Sequence, residues 1–226
     1  EGRKPDERQV PDVVLTRGLW LADSECTQGL WTKLVATNPS RFQRSADAAE
    51  HPVERVAWNE AQAFCTALAS RLGHDAEVRL PSEAEWEFAA RAGITGPYPA
   101  ATGALAVAQL TDIAWLDLRD GTRAVRRRQP NRLGLFDMLG NVSEWCVDRS
   151  GAYSPVEIID PVGRLDETRI ARGGSWADPA RTLRVANRLS LKPELRTLYV
   201  GFRFAITAWP PGKEPQRPGA AEVSRK

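Results

Sequence analysis

The sequence predicts an α+β domain with two to three short helices, few short strands and much irregular loop. Three observations lead there. Helix-capping signatures open short apolar stripes at Thr27, Asn59 and Ser82. Runs that alternate with period two are brief and far apart. The stretch from 94 to 133 is dominated by Gly, Pro, Ala and charged residues and shows no periodicity beyond an Ile113-Ala114-Trp115 island. Eight tryptophans, spread evenly from Trp20 to Trp209, predict one large aromatic core rather than a stacking platform for bases.

In chain order, Val13-Val14-Leu15 and Leu19-Trp20-Leu21 read as two strands around a Thr16-Arg17-Gly18 turn. Thr27 caps a helix over about 28–36, with Leu30, Trp31, Leu34 and Val35 at helical spacing, and Asn38-Pro39-Ser40 breaks the chain after it. Asn59 and Gln62 form a capping box for a helix running to Leu72, which buries Phe64, Cys65, Leu68 and Leu72 and is closed by Gly73. Val78-Arg79-Leu80 is a short strand. Ser82 and Glu85 cap a helix over 83–91, with Trp86 and Ala90 inward, and Gly93 stops it; Glu83, Glu85 and Glu87 favour its dipole. Loops as long as 94–133 need pinning by a metal, a disulfide or a partner.

A tight turn and a strand follow over 134–148, then a loop over 149–168 and a strand at Arg169–Arg172 running into Gly173-Gly174. That glycine pair serves backbone conformation, since no helix follows to make an anion site. Val200, Phe202, Phe204 and Ile206 alternate with Tyr199, Gly201, Arg203 and Ala205, so the strand there has one buried face. Residues 1–208 form one domain, and 209–226 a Pro-rich tail or linker.

A formal charge of +2 sets up no global field for nucleic acid, and Arg126-Arg127-Arg128 reads as a solvated loop. No apolar run reaches the ~20 residues of a membrane span, so neither nucleic acid nor membrane is an expected partner. No leader is legible at the start, and the compartment of this bacterial-type chain stays open between cytoplasmic and exported. Cys26, Cys65 and Cys146 cannot all pair and lack metal-ligand spacing, so they are expected as buried core residues.

Asp137 and Glu144 flank a turn containing Gly140 and Asn141. Two carboxylates with turn carbonyls make a hard oxygen site suited to calcium. The alternatives are that the two acids only cap and pair within the turn, and that Asn141 holds it by hydrogen bonds to backbone.

The segments Glu25–Trp31, Asn38–Phe42, Pro52–Trp58, Arg79–Gly93, Gly134–Trp145, Arg172–Trp176 and Gly201–Arg203 together resemble the formylglycine-generating enzyme (sulfatase-modifying factor) domain, over about residues 10–208. The resemblance implies a C-type-lectin-like core elaborated with long loops. It also implies a structural calcium at Asp137, Gly140, Val142 and Glu144, the glycine and valine through their carbonyls. The oxidases of this family bind copper(I) through a cysteine pair shortly after the Gly-Gly-Ser segment, because soft thiolates suit that ion. Residues 177–188 here hold no cysteine and none follows Cys146, so copper and formylglycine formation are not expected. The iron-dependent sulfoxide synthases of the family need a histidine cluster, whereas this chain has only His51 and His74, both read as surface or loop residues.

The variable proteins of diversity-generating retroelements match better. They carry diversified residues between a Gly-Gly-Ser-Trp segment and a closing Gly-Phe-Arg. By that likeness, 176–199 is a ligand-binding surface, with Trp176, Asp178, Thr182, Arg184, Leu189, Leu191, Leu195, Thr197 and Tyr199 as candidates and Arg181, Arg184, Asn187, Arg188 and Arg196 recurring as framework. The expected partner is a protein or peptide. A metal-dependent oxidoreductase of the family, and a regulatory or scaffolding domain of a larger protein, stand as alternatives.

Overall fold

The computed structural model describes residues 13–73, 77–100, 103–104, 106–153 and 159–208. The expected tail at 209–226 and His74 lie outside them. The elements in order are β1 (Trp20–Leu21), α1 (Gln28–Thr32), α2 (Trp58–Leu72), β2 (Glu77–Arg79), α3 (Glu83–Arg91), β3 (Pro99–Ala100), β4 (Gly103–Ala104), β5 (Ser143–Arg149), β6 (Arg169–Arg172), β7 (Arg188–Leu191), β8 (Val200–Gly201) and β9 (Ala205–Ala208). Short 3₁₀ turns sit at Ala48–Glu50, Val107–Asp112 and Ala180–Thr182. This is the α+β, loop-rich architecture expected.

The helices start where capping chemistry puts them. Leu30 N–H donates to Thr27 Oγ1 at 3.1 Å, although α1 ends at Thr32 rather than near residue 36. Ser82 and Glu85 exchange both bonds of the predicted capping box, at 3.2 and 2.7 Å. The box expected from Asn59 and Gln62 does not form. Helix α2 begins two residues earlier, where Ala57 N–H donates to the Glu60 carboxylate at 2.8 Å, and Gln62 instead accepts from Leu80 N–H at 3.5 Å.

Strand β5 organises the core. The order β7-β6-β5-β8 is antiparallel except for the parallel β5/β8 pair. Alternation along β5 and β6 sends Cys146 and Ile170 to one side, with Trp86, Leu110 and Leu183. Trp145 and Ala171 face the other, with Trp31, Phe64 and Phe202. The single aromatic core expected is thus two cores back to back. Trp86 and Trp145 are fully buried, and Trp31 stacks on Phe64 at 5.3 Å. All three cysteines are buried and free, as expected.

The region 94–133 is pinned by backbone bonds to the rest of the domain rather than by a disulfide. Leu118 N–H reaches Trp176 O at 2.8 Å, Asp117 N–H reaches Asp178 O at 3.0 Å, and Val125 N–H reaches Glu50 O at 3.0 Å. At the start, Val14 makes only a bridge to Ile159. Trp20 and Leu21 pair with β9, which also pairs with β2. The single strand expected near 199–206 is two, in different sheets, and Arg203 and Ala205 on its expected outward face are buried. No helix among the described residues is long and apolar enough to cross a membrane.

Candidate functional site

The two motifs that frame residues 176–199 are locked by buried charge. Arg172, wholly buried on β6, donates to Glu83 at 2.5 Å, to Glu87 at 2.6 Å and to Val185 O at 2.6 Å. Arg188 on β7 meets both Glu83 oxygens, at 2.7 and 2.8 Å. The glycines between β6 and the segment are sterically required: Gly173 has φ +94°, and a Cβ there would lie 2.9 Å from Met138 O and 3.2 Å from the Trp86 ring. At the closing motif, Arg203 places two nitrogens on Glu144 at 2.6 Å each and caps Ala22 O and Phe136 O. Burial opposes the Arg203 charge, but Glu144, with Glu25 and Asp137 behind it, outweighs burial and raises the guanidinium above its ordinary value. Arg203 was expected on an outward face; a carboxylate 59 positions away makes its burial tolerable.

Asp137 and Glu144 do come together, with a third acid the sequence reading missed. Glu25, fully buried, accepts from Asn141 Nδ2 at 2.7 Å and from Val142 N–H at 2.9 Å. Burial, then the charges of Asp137 and Glu144, push Glu25 well above the usual carboxylate range. Burial likewise lifts Asp137 to about 6. Its Oδ2 accepts from Arg126 N–H at 2.7 Å, while its buried Oδ1 has no partner. Glu144 already takes Trp86 Nε1 at 2.7 Å besides Arg203. The Asp137 oxygen and the excess of acid over base fit a hard cation. The described residues hold no cluster of three or more His, Cys, Asp or Glu side chains arranged for a metal, so carbonyls such as those of Gly140 and Val142 would have to complete the set. Asn141 also holds the turn, accepting Arg123 N–H at 2.9 Å.

The nine candidate surface residues fall into separate places. Trp176 is buried, 6 % exposed, with its indole N–H on Leu198 O at 3.0 Å; it supports Tyr199, 42 % exposed, ring to ring at 5.3 Å. Asp178 turns back to accept from Ser175 N–H and Oγ at 2.8 and 2.7 Å. Thr182 and Arg184 lie around the Ala180–Thr182 turn, bonded to Pro179 O and Arg181 O. Leu189, exposed, and Leu191, half-buried, sit on the edge strand β7. Leu195 is exposed, and Thr197 O accepts Arg55 N–H at 3.0 Å beside the start of α2. Among the framework residues, Arg188 and Asn187 are buried, whereas Arg196 makes an exposed pair with Glu60.

The family described as the sulfatase-modifying factor enzyme 1-like domain matches residues 3–208. The chain belongs to this family. As a sulfatase-modifying factor enzyme 1-like chain it is 35% identical over 179 residues to a formylglycine-generating enzyme of Thermomonospora curvata, covering 70% of this chain and 56% of that one. It is 33% identical over 181 residues to the inactive C-alpha-formylglycine-generating enzyme 2 of Mus musculus, covering 73% and 52%. The chain thus spans about half the length of these relatives. Its fold matches Treponema denticola variable protein 1 with a TM-score of 0.77 and 29% identity, covering 86% of each. The family therefore includes active and inactive members, and this sulfatase-modifying factor enzyme 1-like domain is similar to both.

His51 lies in a loop, as expected, but not at the surface. It is buried, 7 % exposed, and its Nδ1 lies 3.0 Å from Thr122 Oγ1. Its neighbours Arg41, Phe42, Arg44 and Arg123 line a cleft that no motif spacing announced.

Proposed function

We propose that this chain is a non-catalytic ligand-binding module of its family, presenting residues around 176–199 to a protein or peptide. The observation that carries the reading is the absence of any cysteine after Cys146. Copper(I) chemistry in this family's manner needs accessible thiolates after the Gly-Gly-Ser segment. The three thiols present are buried, and burial lifts Cys65 to about 12 and the other two well above the ordinary range. Exposed Leu189, Leu195 and Tyr199 supply apolar contact area at the surface. The likenesses to a variable protein and to an inactive member support the same reading.

The test is selection of a binding peptide from a displayed library, followed by titration against variants. Replacing Leu189, Leu195 and Tyr199 with Ser should weaken the selected peptide at least about tenfold, or ~1.4 kcal/mol. Oxygen consumption on a cysteine-containing peptide, with stoichiometric copper or iron in the purified protein, would instead establish the oxidoreductase.

We further propose that Ca²⁺ is held by Asp137 and Glu144 with the carbonyls of Gly140 and Val142. Its role there is to offset the buried negative charge. Chelation should lower the thermal midpoint and added Ca²⁺ restore it. An unmoved midpoint in a metal-free sample would remove the ion from this site.

A further inference from the structure

A cleft of about 350 Å³ opens between the 41–45 lip and the 120–123 loop. Its floor is His51 and Thr122, both buried. Its backbone is held in place: Arg41 N–H and Phe42 N–H both donate to the buried Glu54 carboxylate, the second at 3.2 Å, and Phe42 O accepts Gln28 Nε2 at 3.0 Å. A lip so anchored presents its side chains with little ordering cost.

The charges in this cleft are unequal in their commitments. Arg123 is occupied by Asp120 at 2.8 Å and by the carbonyls of Gly121 and Thr122. Arg41 and Arg44 are exposed, and neither makes an ion pair among the described residues. His51 adds no charge, because burial lowers its pKa despite Asp47 at 3.3 Å. The cleft is therefore positive through two uncommitted guanidiniums, whose planar forks match carboxylates bidentately. Phe42 forms the adjoining wall. Its ring meets Trp176 edge to face at 5.6 Å, and Trp176 in turn carries Tyr199. An aromatic wall thus runs unbroken from the cleft to the exposed Tyr199.

We propose that this cleft takes the carboxylates of an acidic peptide segment. The identity of that segment as part of the ligand at 176–199 rests on the function proposed above. Arg41 and Arg44 are the anchoring residues, and Phe42 is the wall along which the peptide leaves towards Tyr199.

The experiment is a fluorescence-anisotropy titration of the full chain with a fluorescein-labelled hexaglutamate peptide at about 50 mM salt, where screening is weak. A hexaglutamine peptide and inorganic phosphate serve as comparators. Hexaglutamate should bind and hexaglutamine should not. The Arg41→Gln/Arg44→Gln double variant should weaken hexaglutamate about tenfold or more, while Arg71→Gln, on the exposed end of α2, leaves it unchanged. Absence of binding to the parent chain overturns the proposal, as does equal binding by the double variant with an unaltered melting profile. Displacement of the peptide by phosphate at equal concentration would reassign the cleft to small anions. Hexaglutamate binding that survives Leu189→Ser/Leu195→Ser keeps the cleft even if the 176–199 face fails. A library-selected peptide lost on those two changes, with no hexaglutamate binding, keeps the face and discards the cleft.

Discussion

Two sets of arginines in this molecule do opposite work. Arg172, Arg188 and Arg203 are buried, each with paired carboxylate oxygens at 2.5–2.8 Å, and they close the two motifs that bracket residues 176–199. Arg41 and Arg44 are exposed beside a cleft and make no ion pair among the described residues. The side chain is the same; what differs is whether a carboxylate was buried with it. A paired guanidinium inside the domain specifies one arrangement of strands, because removing either partner strands a charge. An uncommitted one outside leaves its donors for something else.

The sharpest way to break this contrast is at Arg203. Arg203→Met leaves Glu144 buried and unpaired and should cost about 3–5 kcal/mol in chemical denaturation. Adding Glu144→Gln should recover much of that loss. If the double variant is no better than the single, pairing is not what matters there.

A smaller effect is expected from Asp148, which burial, and secondarily Glu83, lift to about 7. Its oxygens accept from Gly163 N–H at 2.8 Å and from Glu83 N–H at 2.7 Å. Because the folded value lies above the unfolded one, the folded chain holds a proton between about pH 4 and 7 that the unfolded chain releases. This contribution is complete below about pH 4 and is lost as pH rises through 7. At about 1.4 kcal/mol per tenfold change in proton affinity, it amounts to on the order of 3–4 kcal/mol at most. Denaturant midpoints measured from pH 5 to 8 should fall less steeply for Asp148→Asn than for the parent chain.

Gly173→Ala should cost on the order of 1–3 kcal/mol, through a positive φ and a Cβ pressed between Met138 O and Trp86. The smallest effect belongs to Arg196→Gln. Its pair with Glu60 at 2.9 Å is exposed, and the thermal midpoint should not move measurably. A clear drop there would blur the line between framing and surface arginines.

What the sequence made legible was local. Ser82 with Glu85, Thr27 before Leu30, and the Gly173-Gly174 pair act within a few residues, and the structure uses each as read. The failures share a different cause. Period-two alternation near 199–206 counts arginine as outward, and nothing nearby shows that Glu144 will receive Arg203. His51 looks like a loop residue until Thr122, 71 positions on, closes over it. Glu25 belongs to the Asp137 cluster only through Asn141 and Val142, more than a hundred positions away. The start of α2 lies two residues before the expected one because Ala57 has no capping oxygen to announce it, and Glu60 bonds back to its amide instead. The family signature supplied the fold where periodicity could not. It did not announce the cleft, which joins three separate stretches of chain.

Strands β7 and β8 stand at opposite edges of one sheet, so residues 192–199 must cross two intervening strands. Three strand spacings of ~4.8 Å make that span about 14 Å, whereas eight residues at ~3.3 Å each can reach about 26 Å. The crossover is therefore longer than its span requires, and Pro193 O and Thr197 O hold it against Trp58 and Arg55 N–H. Doubling its length would cost only about 0.6 kcal/mol more in closure entropy. Foreign epitopes could be spliced into it as into a socket, with the sheet on either side left intact.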